Sequence, residues 1–146
     1  MTPSHLQATR TSPVSHRLRA SDLALVALGA AVGAVLRWWL GALAPEETGF
    51  PWTTFGINVA GAFALGVLPA LGLVRHDHWA TLLLGPGLLG GFTTVSTYAD
   101  QARALAAGGH AVQAGLYVVG TLAAALLAAW AGRRLSHRPE PEDALT

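Results

Sequence analysis

The stretch Gly85-Pro-Gly-Leu-Leu-Gly-Gly-Phe-Thr-Thr-Val-Ser-Thr-Tyr98 decides how this chain folds. It lies in an apolar segment long enough to cross a bilayer, yet it contains a proline, four glycines and four Ser or Thr residues. Lipid offers no water to backbone groups, so a membrane segment normally remains an unbroken helix. A break at this depth must bury the released carbonyls in protein or use them to hold an ion. We therefore expect the remaining segments to support a broken helix.

The composition of the 146-residue chain is typical of a membrane protein. Apolar residues make up 52% of it and charged residues 12%, and the mean hydropathy is +0.44. A soluble domain of this size would lack the charged surface that it needs. The length predicts one domain. The chain contains no cysteine, which excludes disulfides, thiolate metal sites and cysteine nucleophiles.

Four apolar segments predict an all-α membrane domain over residues 21–132. The expected spans cover about residues 23–43, 54–74, 79–99 and 112–131, and the third contains the stretch quoted above. In the first span, glycines at positions 29, 33 and 41 share one face with Arg37, which would allow another helix to approach closely. We expect residues 1–20 and 133–146 to form disordered cytoplasmic tails.

The arginine distribution predicts the orientation. Four spans place both termini on one side of the membrane. That side would hold Arg10, Arg17, Arg19, Arg75, Arg133, Arg134 and Arg138, whereas the opposite side holds at most Arg103. The positive-inside rule then predicts that both termini lie in the cytoplasm. We expect a multi-pass protein of the plasma membrane.

The polar residues of the spans suit ions of either sign. Carbonyls released at a helix break coordinate hard cations such as Na⁺, whereas hydroxyl and amide groups suit a small desolvated anion. The candidate donors are Asn58, Ser96, Thr97, Tyr98 and Thr121. Two alternatives stay open: Asn58 could simply join two helices, and Arg37 could either snorkel to the interface or attract anions to a vestibule.

One motif in this stretch resembles the signature of a known family. Gly90-Gly-Phe-Thr-Thr-Val-Ser-Thr-Tyr98 is similar to the GGxTTFSTF sequence of the fluoride channel family (Fluc/CrcB). The agreement extends over about residues 23–132 and includes Gly33-Ala-Val-Leu-Arg37 in the first span. The resemblance implies a dimer of two antiparallel subunits that passively exports cytoplasmic fluoride and so lowers fluoride toxicity.

The resemblance also implies roles for individual residues. In that family, backbone carbonyls at positions that match Gly90 and Thr93 hold a structural Na⁺ at the dimer centre. The positions that match the fluoride pathway are Asn58, Val95, Ser96, Thr97, Tyr98, Tyr117 and Thr121. Arg37 matches the first-span arginine of the family, the expected vestibule cation.

Three positions depart from the family pattern. Val95 and Tyr98 stand where the family has two pore phenylalanines, and Ala125 stands where a second fourth-span hydroxyl is common. A pore made from two copies would therefore offer an anion a weaker path. The one-sided arginine distribution also disfavours antiparallel self-pairing. We predict that the second subunit is an oppositely oriented paralogue that carries the missing phenylalanines; a second copy of this chain is the alternative.

The alternatives to a channel are a proton-coupled exporter and a non-transporting scaffold. A small four-helix proton-coupled exporter would need a carboxylate inside a span, but Asp22, Glu46, Glu47, Asp77 and Asp100 are expected at span ends or in loops. A non-transporting scaffold or accessory subunit stays open because of Val95 and Ala125. The sequence contains no catalytic triad, phosphate loop or metal-ligand spacing, so we predict no enzyme. The expected partners are fluoride, lipid and a second subunit, without nucleic acid.

Overall fold

The computed structural model describes residues 19–45 and 49–136, and every regular element in these ranges is helical. Helix α1 is followed by α2, a 3₁₀ turn and the short helix α3. A composite helix comes next, formed by α4, a π-helical segment and α5, and then α6 and α7 complete the fold. Their bounds are α1 Ala20–Leu43, α2 Trp52–Val67, the 3₁₀ turn Leu68–Ala70, α3 Gly72–His76, α4 His78–Leu82, the π-helical segment Leu83–Leu89, α5 Gly90–Phe92, α6 Ser96–Ala107 and α7 Ala111–Ser136.

The chain crosses the bundle four times. Helix α1, helix α2 with its 3₁₀ turn, and helix α7 are each long and apolar enough to span a membrane. The remaining crossing is interrupted: helical residues 78–92 are separated from α6 by three non-helical residues, Thr93–Val95. Roughly 20 Å of helix lies on either side of this break, given a rise of about 1.5 Å per residue. The prediction of an all-α membrane protein with an interrupted third helix is confirmed.

Pro86 does not break the third crossing, although it lies inside it. The helix continues through this proline as the π-helical segment, whose wider turn accommodates a residue that lacks an N–H. The break occurs seven residues later, where Thr93 adopts an extended conformation with φ −74° and ψ 156°. The interruption therefore falls among the hydroxyl residues of the motif.

The ends of three crossings differ from the predicted spans. Helix α2 and its 3₁₀ turn end at Ala70 because Pro69 interrupts the helical hydrogen bonding. Helix α6 continues to Ala107, beyond the predicted end of the third span near residue 99; the Asp100 carboxylate is exposed and pairs with Arg103 at 2.8 Å. Helix α7 continues to Ser136, since arginines near a helix C-terminus favour the helix dipole.

The two predicted tails can be compared with the structure only at their inner edges. Ala20 already belongs to α1, and residues 133–136 belong to α7. Residues 1–18 and 137–146 lie outside the described residues, as do Glu46 and Glu47 of the first loop.

Glycines allow the crossings to pack backbone against backbone. A Cβ atom at Gly29 or Gly33 would meet backbone atoms of residues 83–92, and one at Gly91 would meet the backbone of Ala30. Helices α2 and α7 approach in the same way at Gly66 and Gly132. The close approach predicted for the small-residue face of α1 is confirmed at Gly29 and Gly33. Large apolar side chains cover the outside of the bundle, as expected for a surface in contact with lipid.

The beginning of α1 and the end of α7 lie at the same end of the bundle. Asp22 Oδ1 lies 3.9 Å from His78 Nε2, and Ser136 Oγ lies 3.3 Å from the Gly66 carbonyl oxygen. Both contacts lead to the connection between the second and third crossings. This arrangement agrees with four crossings; the side of the membrane on which this end lies remains a prediction.

Candidate functional site

The side-chain amide of Asn58 on α2 holds the break in the third crossing. Its Nδ2 donates a hydrogen bond to the Thr94 carbonyl at 3.0 Å, and its Oδ1 accepts one from the Thr94 N–H at 2.8 Å. A single amide thus satisfies both backbone groups of a residue that lies between two helices. This is how the fold supports a break at a depth where lipid offers no hydrogen bonds.

At the break, two carbonyls lose the N–H donors that they would have in a continuous α-helix. In a continuous helix the Thr94 N–H would bond to the Gly90 carbonyl, but it donates to Asn58 instead. The Thr97 N–H would bond to the Thr93 carbonyl, but it donates to Thr94 Oγ1 at 3.2 Å. Gly90 and Thr93 are the two residues to which the family resemblance assigns a cation site. The carbonyl of Gly91, between them, accepts a long hydrogen bond of 3.4 Å from Arg37 Nε.

Thr94 is the centre of a small hydroxyl cluster. Its buried Oγ1 donates to Thr97 Oγ1 at 3.1 Å and lies 3.3 Å from Ser96 Oγ. The same oxygen accepts the Thr97 N–H, so it satisfies a free donor in the first turn of α6. Sequence analysis did not select Thr94. The signal was present in the Thr-x-x-Thr spacing ahead of α6, which is typical of side-chain capping at a helix start.

A largely apolar groove opens on one side of the break. This break groove has a volume of about 570 Å³ and runs between α2, the third crossing and α7. Of the predicted site residues it is lined by Asn58, Gly90, Thr93, Val95, Tyr98 and Thr121, and Ala125 also lines it. The structure therefore brings most of the predicted pathway and both predicted cation ligands to one surface. The Val95 side chain is 79% exposed there.

A second cavity lies on the other side of the break. This arginine cavity has a volume of about 430 Å³ and is lined by the half-buried Arg37 together with Thr94, Thr97 and Gln101. Thr94 lines both cavities, so the break residue separates them. Gln101 was missed by sequence analysis; it lies one helical turn after Thr97 on the same face of α6.

Helix α7 contributes two buried residues with different surroundings. Tyr117 is fully buried, its hydroxyl donates to Gln101 Oε1 at 2.8 Å, and its ring lies 5.2 Å from that of Tyr98. Thr121 is only 4% exposed, and its Oγ1 has no hydrogen-bond partner among the described residues. The Tyr98 hydroxyl donates to the Val118 carbonyl at 2.7 Å. Of these three side chains, Thr121 alone brings an unsatisfied polar atom to the break groove.

Two predicted pathway residues line neither cavity. Tyr117 is fully buried on α7, and the exposed Ser96 has its Oγ 3.3 Å from Thr94 Oγ1. No group of three or more His, Asp or Glu side chains that could hold a metal ion occurs within residues 19–45 and 49–136. The oxygen ligands that the break offers to a cation are therefore backbone carbonyls and hydroxyls, which suit a hard ion.

Comparison with known proteins places this arrangement in a family. The sequence model described as CrcB-like protein, Camphor Resistance (CrcB), matches residues 24–133, which include every predicted site residue. Among curated proteins, the chain is similar to the fluoride-specific ion channel FluC of Paramagnetospirillum magneticum. The two are 45% identical over 116 residues, which cover 75% of this chain and 90% of that protein.

Two further similar proteins are also fluoride-specific ion channels. Fluoride-specific ion channel FluC 1 of Streptomyces coelicolor is 40% identical over 144 residues, covering 91% of each chain. Fluoride-specific ion channel FluC of Thermus thermophilus is 43% identical over 114 residues, covering 76% of this chain and 91% of that protein. The family suggested by the motif at Gly90–Tyr98 is thereby confirmed, and its members named here are channels rather than enzymes. This chain belongs to the CrcB-like family, which includes the fluoride-specific ion channels FluC.

Proposed function

We propose that this chain is a subunit of a fluoride-selective channel that lets cytoplasmic fluoride leave the cell passively. The names of its relatives support the ion. The observation that carries the proposal is the break at Thr93–Val95, which Asn58 holds open with a cavity on each side. Hydrogen fluoride crosses membranes as a neutral acid and releases fluoride inside. A negative-inside potential then favours exit by about 2.3 kcal/mol per charge for each ~100 mV.

The anion path is supported by hydrogen-bond donors at the break. Asn58 lines the break groove, and its Nδ2 carries a second hydrogen besides the one given to Thr94. The unpartnered hydroxyl of Thr121 lines the same groove. Leaving a buried hydroxyl unsatisfied costs about 1–3 kcal/mol. A passing fluoride, or the water that it replaces, would recover that free energy.

Thr97, Ser96 and Tyr117 enter the path less directly. Thr97 lines the arginine cavity, and Ser96 belongs to the hydroxyl cluster of Thr94. Tyr117 positions Gln101 through its hydroxyl. Within this proposal, Val95 and Tyr98 are the groove residues that face the second subunit.

Arg37 serves as the vestibule cation in this proposal. Its side chain is half-buried at the arginine cavity, next to the Gly91 carbonyl. A fixed positive charge in a partly enclosed cavity raises the local concentration of anions. Its place at the break favours the vestibule role over simple snorkelling.

A structural Na⁺ would be held by the Gly90 and Thr93 carbonyls. Both have lost their α-helical donors, and Gly90 lies exposed at the break groove. Carbonyl oxygens are suitable ligands for Na⁺, so the residues fit the ion. Two carbonyls are too few to replace a hydration shell, and we infer that the same pair from a second subunit completes the site.

The second subunit would pack on the break groove in antiparallel orientation. In a pore made from two copies of this chain, Val95 would offer the anion no ring edge and Ala125 would offer it no hydroxyl. Of the described arginines outside the bundle interior, Arg19, Arg75, Arg133 and Arg134 lie at one end and Arg103 at the other. We propose that this end is cytoplasmic, that the protein resides in the plasma membrane, and that the partner is an oppositely oriented paralogue.

The proton-coupled exporter is the weaker candidate. Asp100 lies within α6, but it is exposed and paired with Arg103 at 2.8 Å. A proton-coupled mechanism needs a carboxylate that exchanges its proton with substrate at a binding site. The break groove contains no carboxylate among its described lining residues.

Fluoride efflux from liposomes, read with a fluoride electrode, tests the proposal. The purified chain is reconstituted alone and together with the companion paralogue from the same genome, with chloride efflux as the selectivity control. We expect fluoride efflux with chloride retained, and stronger efflux for the pair. Robust efflux from the chain alone would contradict an obligate pair, provided that the reconstituted subunits are shown not to share a single orientation. Absence of efflux in both preparations would favour the non-transporting scaffold.

A further inference from the structure

A basic pocket lies at the end of the bundle where α1 begins and α7 ends. It has a volume of about 770 Å³ and lies between the end of α2, the end of α7 and the corner formed by α3 and α4. Arg75 and Arg133 line it, above an apolar floor that includes Leu68, Pro69 and Val74. The pocket therefore combines positive charge with an apolar surface at the level where the helices end.

The two arginines of the basic pocket are not neutralised by the described part of the protein. Asp22 lies beside His78 at 3.9 Å, and no ion pair joins Asp22 or Asp77 to Arg75 or Arg133 within the described residues. The neighbouring Arg134 differs from them. It does not line the basic pocket, and its guanidinium stacks over the Trp130 ring at 5.0 Å.

Hydroxyl groups fix the walls that carry the two arginines. Thr81 Oγ1 donates to the Val74 carbonyl at 3.0 Å and lies 3.2 Å from that of Asp77, which ties α3 to α4. Ser136 Oγ donates to the Arg133 carbonyl at 2.8 Å and also approaches Gly66. Both hydroxyl protons are used within the protein, so a ligand would be bound through the guanidinium groups.

We propose that the basic pocket binds the headgroup phosphate of an anionic phospholipid. Guanidinium groups bind phosphate through paired hydrogen bonds, and basic pockets between helices at a membrane face suit such headgroups. The apolar floor would contact the glycerol and upper acyl carbons, a contact that free phosphate cannot make. The basic pocket adjoins the break groove, with which it shares Leu65, Gly85 and Pro86, but its two arginines line neither the break groove nor the arginine cavity.

Lipid binding to the full-length purified chain tests this proposal. Bound lipid is measured by native mass spectrometry, with thermal unfolding as a second readout, in a neutral detergent. The probes are phosphatidylglycerol, phosphatidylcholine and inorganic phosphate. We expect preferential binding of phosphatidylglycerol, weakened about fivefold by Arg75→Gln and about fivefold by Arg133→Gln, because each substitution removes one guanidinium group that would hydrogen-bond the phosphate inside the pocket. Both side chains are exposed, so neither substitution disturbs packing.

Arg134→Gln is the matched control, since it removes the same charge from the same end outside the basic pocket. We expect it to retain wild-type lipid binding. Equal weakening by Arg134→Gln would overturn the proposal, because binding would then reflect diffuse attraction to the whole end. Equal binding of phosphatidylcholine, or equal stabilisation by inorganic phosphate, would overturn an anionic lipid as the occupant.

Discussion

At the scale of single residues, Asn58 connects the fold to the path of the ion. Its amide donates to one backbone group of Thr94 and accepts from the other. Asn58→Asp keeps the acceptor but places an oxygen against the Thr94 carbonyl, which loses its donor. We expect thermal unfolding at lower temperature, from a loss of about 1–3 kcal/mol, and fluoride efflux reduced at least tenfold. Gln113→Glu adds a carboxylate near the start of α7 and should change neither; equal loss in both variants would contradict this account.

Substitutions of Thr121 can distinguish a functional role of its hydroxyl from a structural one. Its hydroxyl is buried without a described partner, so Thr121→Val keeps the shape and removes an unsatisfied group. We expect equal or greater stability, by up to about 1 kcal/mol, together with slower fluoride efflux. Thr121→Ser should retain efflux because it retains the donor. If Thr121→Val lowers stability and leaves efflux intact, the hydroxyl serves packing or a structural water instead.

At the scale of helices, the backbone contact between α1 and the third crossing depends on glycine. A Cβ at Gly33 would meet the Leu88 carbonyl and the Phe92 N–H, both in the backbone and unable to move aside. We expect Gly33→Ala to destabilise the protein by several kcal/mol or to prevent its folding. Gly41→Ala lies on the same face of α1 with open space around its Cβ and should be tolerated. The fraction of monodisperse protein after extraction, and its melting temperature, compare the two variants.

Much of this architecture could be predicted from the sequence because periodic glycines and apolar runs are local signals. The shape of the break could not. Pro86 is the stronger helix breaker in isolation, yet the π-helical turn absorbs it, and the opening comes at Thr93–Val95. The deciding interaction joins Thr94 to Asn58, 36 residues away, so no local pattern reveals it. The contact of Gln101 with Tyr117 likewise became evident only once α6 and α7 were placed together, whereas the capping role of Thr94 had a local signal in the Thr-x-x-Thr spacing.

At the scale of the whole molecule, the accessibility of Val95 can test the proposed subunit interface. Val95 is 79% exposed and lines the break groove, on which we propose that a second subunit packs. The chain has no cysteine, so a single substitution gives a unique label. We expect Val95→Cys to react readily with a maleimide in detergent when the chain is alone, and several-fold more slowly once the paralogue is added.

Val112→Cys is the matched control for that measurement, since Val112 is also 79% exposed but lies at the start of α7, away from the break groove. Its labelling should not change with the paralogue. Protection of Val95→Cys that grows with the concentration of this chain alone would instead identify a second copy as the natural partner. Labelling that is unaffected by either addition would contradict the proposed interface, because a subunit packed on the break groove must cover Val95.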